Sequence, residues 1–223
     1  MKKILYTAVC MLLFCSACSD SDIGPNPSRQ AKRHITLTFS PGQARTRTAA
    51  DESRIDDINL YLFPASGGPA RHLYLSSQRS VVLELPEGDY ALYAVANAGA
   101  DMGEQTRDYI RTLRFEQAPD ALADGPLPMS AEQTVSVRGD MHIDVTLVRT
   151  VAKIDFSCTV AAEFAPKLQI KSVRICNAPC SMSLFAPSHA TTSGDVADTT
   201  PDTATGQTFS ASYYLLDTDC PVP

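Results

Sequence analysis

Three sets of side chains in this sequence have the types and spacing for covalent chemistry. The first is Cys18, which follows Lys2, Lys3, the apolar run Ile4 to Phe14 and the small residues Ser16 and Ala17. A basic start, a short apolar core and a small-residue cleavage point make an export signal. The run is too short for a transmembrane helix, which needs ~20 apolar residues. A cysteine at such a point reads either as a lipid-bearing residue or as the first residue of an ordinary secreted protein cut after Ala17. The second set is Arg45 and Arg47, which follow Pro41-Gly42 among small polar residues. A loop of that composition is exposed and open to an Arg-specific protease. The third set is the cysteines left once Cys10 and Cys15 depart with the signal and Cys18 is acylated: Cys158, Cys176, Cys180 and Cys220. An exported chain can oxidise them, and four cysteines allow three pairings. Asn-Ala-Pro separates Cys176 from Cys180, a turn that permits a local bridge; Cys176 could equally face Cys158 across two strands.

Other chemistries find little to work with. The cysteine spacing is wrong for a zinc knuckle, and no histidine lies close by. The histidines are His34, His72, His142 and His189, with no HExxH, no GxSxG elbow and no Walker A loop. The expectation is a protein without enzyme activity, metal or cofactor. A net charge of −6 argues against nucleic acid as a partner. The stretch from Ile23 to Ala50 nevertheless holds Arg29, Lys32, Arg33, Arg45 and Arg47 and no acid. Such a basic arm is solvated, lies near anionic headgroups, or presents sites to a protease. Arg138-Gly139-Asp140 spells an integrin-binding tripeptide, but it also reads as a hairpin turn in which Gly139 takes positive φ. Asp198-Thr199-Thr200 and Asp202-Thr203-Ala204 read either as a plain acidic loop or as short O-glycosylation acceptors.

The elements that must position these residues are strands. Ile35, Leu37 and Phe39 alternate with Thr36, Thr38 and Ser40, the period of a half-buried strand, and Ile58, Leu60 and Leu62 repeat the pattern. If the intervening loop were cut at Arg45 or Arg47, the first strand would be held only by hydrogen bonds and burial. Its departure would expose a groove that another chain's strand could fill. Further strands are predicted at His72–Leu75, Val81–Leu85, Tyr90–Ala96, Thr134–Val137, Ile143–Arg149, Val151–Val160, Leu168–Cys176, Met182–Phe185 and Phe209–Leu216. Tyr90–Ala96 is apolar on both faces and is expected to be central. In Val151–Val160, Ile154 and Phe156 are expected in the core, with Asp155 facing solvent. Gly103–Leu113 is the one predicted helix, and 186–206 reads as a loop. With 223 residues and 44% apolar content, this many short strands indicate an all-β sandwich with one short helix. The segment 18–33, rich in Pro, Ser and Asp, is a tether.

Several of these stretches, taken in order, are similar to one family. Leu13-Phe14-Cys15-Ser16-Ala17-Cys18 resembles a bacterial lipobox, and Asp20 and Asp22 resemble the acidic tag of surface-directed lipoproteins in the Bacteroidetes. ITLTFS, ADESRIDDINLYLF, GDYALYAVANAGAD, LPMSAE, VTLVRTVAKIDF and IKSVRICNAP follow. Together they resemble the fimbrillin superfamily, the pilus subunits and anchors of that phylum. The resemblance implies a signal peptide over 1–17 and lipid on Cys18. It implies a transthyretin-like Greek-key sandwich over 34–216, and a surface-exposed outer-membrane lipoprotein of a fimbrium. It also implies that an Arg-specific protease cuts after Arg45 or Arg47. The strand with Ile35, Leu37 and Phe39 is then removed and replaced by one from a neighbouring fimbrial subunit. Residues 217–223 are then the start of a second β domain. The rival expectation is a lipid-anchored surface binder, of glycans or a host ligand, that is not polymerised; against it, the chain has no Trp for an aromatic platform.

Overall fold

The structure, a computed structural model, describes residues 31–42, 53–117, 126–185 and 196–216. The first half of the chain forms β1 (Lys32–Pro41), β2 (Asp57–Pro64), β3 (Arg71–Ser76), β4 (Ser80–Pro86) and β5 (Gly88–Ala96). After a short helix come β7 (Met129–Val137) and β8 (Met141–Arg149), and these seven strands build one sheet in the order β3-β2-β5-β7-β8-β1-β4. The sheet folds over on itself. β7 and β8 pair only at Met129 with Arg149 and Ser130 with Val148, and all seven strands send side chains into a single apolar core. That core is the filling of an all-β sandwich, with β3-β2-β5-β7 as one layer and β8-β1-β4 as the other.

The period-2 residues supply the filling. Ile58, Leu60 and Leu62 of β2 meet Leu92, Ala94 and Ala96 of β5, and Ile143, Val145 and Leu147 of β8 lie in the same core. β5 is central, between β2 and β7, as its two apolar faces require. Its outer face, with that of β2, makes a second cluster: Tyr61, Phe63 and Tyr93 under Ile110. Ile110 belongs to α1 (Arg107–Arg111), which is shorter than the predicted 103–113. Thr106 starts it by accepting a hydrogen bond from the Tyr109 amide on its hydroxyl, 3.2 Å away. Ile110 is the helix's buried residue.

The outer face of β2 also carries buried polar groups, Asp57 and Asn59. Each is paid for by the loop after β5. The Asp57 carboxylate accepts the amides of Ala98 and Gly99, both at 3.0 Å. Asn59 donates to Ala100 O and accepts the Met102 amide. Tyr61 donates to Gly103 O at 2.8 Å. Buried polar atoms are tolerated only when partnered in this way, and here they pin a loop in place.

The remaining strands pair in twos. They are β6 (Arg114–Glu116) with β12 (Ser181–Ser183), β10 (Ile170–Val173) with β14 (Asp202–Gly206), and β11 (Ala178–Pro179) with β13 (Val196–Ala197). The longest ribbon joins β9 (Val151–Thr159) to β15 (Thr208–Leu216). None adds a strand to the large sheet. Three expectations change here. The stretch read as loop, 186–206, contains β13 and β14, which form by backbone pairing without an apolar alternation to announce them. Ile154 and Phe156, expected in the core, are 43% and 40% exposed: among the described residues β9 pairs with β15 alone, and no second layer covers that face. Arg138-Gly139-Asp140 is not a tight hairpin with positive φ at Gly139. The strands it joins diverge into opposite layers and pair only at their far ends.

Candidate functional site: the first strand and its seat

β1 does not lie at an edge of its layer. It runs antiparallel to β4 from Lys32↔Pro86 to Thr38↔Ser80, and parallel to β8 from Ile35↔Met141 to Pro41↔Leu147. Ile35, Leu37 and Phe39 point into the core at 0%, 1% and 2% exposure. The three residues expected on one face of an exchangeable strand therefore do share a face, and it is fully buried. A strand in this position leaves two unpaired edges if it departs, not one. Unpaired edges are templates for another strand.

The two ends of the seat differ. At the far end the Gly42 amide donates to Leu147 O at 2.7 Å and the Phe39 amide to Arg79 O at 2.8 Å. A Cβ on Gly42 would lie 3.2 Å from Leu147 O, so the chain comes closer to β8 there than most side chains permit. At the near end three basic residues open the strand and three acids meet them. Arg33 pairs with Glu87, its Nε and NH2 within 2.7 and 2.6 Å of one carboxylate oxygen. Lys32 Nζ lies 3.9 Å from Glu84. The His34 imidazole lies 3.6 Å from Glu84 and 3.9 Å from Asp140. The His34 amide donates to Asp140 Oδ1 at 2.9 Å. These side chains are 38–67% exposed, so each pair by itself adds little to stability. Sequence reasoning missed the acids. The basic triplet Lys32-Arg33-His34 was the available signal, but Glu84 and Glu87 at the end of β4 and Asp140 between β7 and β8 meet it only in space.

Cys18, Arg45, Arg47 and Cys220 lie outside the described residues. Cys158, Cys176 and Cys180 are free thiols here, so neither of the two possible bridges among them is made. Both ends of the Arg138-Gly139-Asp140 tripeptide are spent inside the domain. Arg138 donates to Asp89 at 2.7 Å, and Asp140 holds the His34 amide. The Ser136 hydroxyl and then Arg138 hold the Asp89 carboxyl below its usual range by hydrogen bonding to the ionised form. Of the two expected glycosylation acceptors, Thr199 is buried, and its hydroxyl accepts the Ile175 amide at 2.9 Å; Thr203 is exposed on β14. His72 stacks on Tyr61 with ring centroids 4.5 Å apart and reaches Asn59 at 3.3 Å, a structural role.

No protein-family model matches the sequence, and no curated protein matches it. Solved structures do. A Bacteroides eggerthii protein described as a candidate cell adhesion protein is 14% identical, with a TM-score of 0.59 over 84% of this chain and 71% of that one. The tip fimbrial protein Mfa3 of Porphyromonas gingivalis, truncated at its C-terminus, is 16% identical, with a TM-score of 0.56 over 82% and 68%. A fimbrial assembly protein of Parabacteroides distasonis is 15% identical, with a TM-score of 0.51 over 85% and 78%. The class the fold defines is thus the all-β sandwich of Bacteroidetes fimbrial and adhesin-like proteins. This chain has that fold, and it spans 68–78% of the length of the three neighbours.

Proposed function

We propose that this chain is a fimbrillin-superfamily lipoprotein, a structural subunit or anchor of a cell-surface fimbria with no catalytic role. In this reading it is exported, acylated on Cys18 and held at the outer membrane. An Arg-specific protease cuts after Arg45 or Arg47, in the segment that follows β1. A strand of a neighbouring subunit then takes the seat between β4 and β8. The observation that carries the reading is the burial of Ile35, Leu37 and Phe39 in a strand flanked on both sides.

Physical magnitudes allow the exchange. Burying each of those side chains is worth ~1.5–3 kcal/mol. Keeping the strand ordered costs ~1–2 kcal/mol per residue in backbone entropy. In the uncut chain, ordering β1 is part of one cooperative fold. Once cut, the strand must hold its place by its own contacts, and a competing strand of like pattern can displace it.

The test is the N-terminus of the mature protein recovered from cells, with fatty-acid labelling of wild type and Cys18→Ser. A start at Thr46 or Thr48 supports exchange. A labelled start at Cys18 with β1 retained supports an anchor, or a surface binder that is not polymerised. Labelling of Cys18→Ser refutes the lipoprotein assignment. The double variant Arg45→Ala/Arg47→Ala is expected to stay folded, resist processing and refuse an added strand.

A further inference from the structure

We infer that the acidic end of the β1 seat, made by Glu84, Glu87 and Asp140, reads the charge of the incoming strand and sets its direction. This inference rests on the strand-exchange reading and adds to it the kind of strand accepted. That strand has basic residues at its N-terminal end, then apolar residues at alternate positions.

The ladders alone leave direction open. β1 is antiparallel to β4 and parallel to β8, so β4 and β8 run opposite ways. A replacement strand makes one parallel and one antiparallel ladder whichever way it enters. The apolar seat does not choose either, because alternation reads the same in both directions. The ends are the asymmetric parts. One end offers Glu84, Glu87 and Asp140, and the structure shows a basic segment seated there, Lys32-Arg33-His34. The other end offers the narrow approach to Leu147 O that Gly42 occupies. A strand entering as β1 does places its basic flank on the acids and a small residue at the narrow end. A reversed strand puts its basic flank at Leu147 O and takes from the three acids the partners that Lys32, Arg33 and His34 give them. Charge complementarity acts in this way on orientation and partner choice more than on total affinity.

The test uses the full chain cut by an Arg-specific protease, which is then inhibited. Two peptides are added that share the apolar core Ile-Thr-Leu-Thr-Phe. One carries two lysines before the core, the other two glutamates. The lysine peptide is expected to bind wild type about tenfold tighter at low salt, with the ratio shrinking towards one in 0.5 M salt. Glu84→Lys/Glu87→Lys is expected to reverse the preference, and Glu84→Gln/Glu87→Gln/Asp140→Asn to abolish it. A nitroxide on the lysine end should broaden the amide signals of Glu84 and Met141 and spare those of Ser80 and Leu147. Equal binding of the two peptides to wild type, a preference untouched by charge reversal, or broadening at Ser80 and Leu147 overturns the inference and leaves strand exchange standing. Binding of neither peptide overturns strand exchange itself and this inference with it.

Discussion

Leu37→Ala separates burial from every other tie on the first strand. Leu37 is 1% exposed and sits opposite Val81 on β4 and Ile143 on β8. Truncating a core leucine costs ~2–5 kcal/mol, the spread being set by how far the site collapses. Collapse is restricted here, because ladders on both sides hold the strands at their ~4.8 Å spacing. The cost should therefore reach about 3 kcal/mol or more. In the uncut chain, with a urea dependence of ~1–3 kcal/mol per M for a domain of this kind, the unfolding midpoint should fall by about 1–3 M. In the cut chain the same loss falls on the strand's own hold, and 3 kcal/mol is a factor of more than 100. Dissociation of a labelled β1 segment, followed by fluorescence anisotropy after cleavage, should accelerate accordingly. Thr36→Ala, on the outward face of the same strand, is the control and should stay within ~0.5 kcal/mol. Equal effects of the two substitutions would mean that β1 does not face the core. A destabilised uncut chain whose cut strand dissociates no faster would mean that burial is not what retains β1.

Three further outcomes follow from other parts of the molecule. Phe156→Ala should cost no more than ~1 kcal/mol, because the ring is 40% exposed and its ring neighbour is Phe209, tilted against it with centroids 6.3 Å apart; a loss of 3 kcal/mol or more in urea titration would show that something covers the β9 face. Asn59→Ala should cost ~1–2 kcal/mol, since it removes the side chain that, itself buried, donates to the Ala100 carbonyl and accepts the Met102 amide. Hydrogen exchange should then quicken at 98–103, and unchanged exchange there would refute the pinned loop. Burial first, and then the Asp101 charge, push the Tyr61 hydroxyl up from 10.0 to about 12. A raised value favours the protonated form in the folded state, so the contribution is complete below pH 10 and lost as pH rises towards 12. Tyr61→Phe should remove one late-ionising tyrosine from an absorbance titration, and loss of an ordinary one near pH 10 would refute its burial.

Local pattern was enough for part of this protein. The alternation of Ile35, Leu37 and Phe39 is a property of neighbouring residues, so the strand and its apolar face were legible without a structure. The two apolar faces of Tyr90–Ala96 identified β5 as central for the same reason. The expectations of an export signal before Cys18 and of a cut at Arg45 or Arg47 rest on composition alone, and both fall outside the described residues. Alternation cannot say what lies against a face. The pattern of Ile154 and Phe156 is as regular as that of β1, yet one face is buried and the other is not, because only β1 has a second layer opposite it. Nor can spacing along the chain pair distant groups: His34 and Asp140 are 106 positions apart. Asp57 and Asn59 look like solvent-facing positions of β2, and they are buried because the loop after β5 folds back to supply their partners. The seat between β4 and β8, and the acids at its end, exist only once the sheet has folded over and brought strands from both ends of the sandwich against β1.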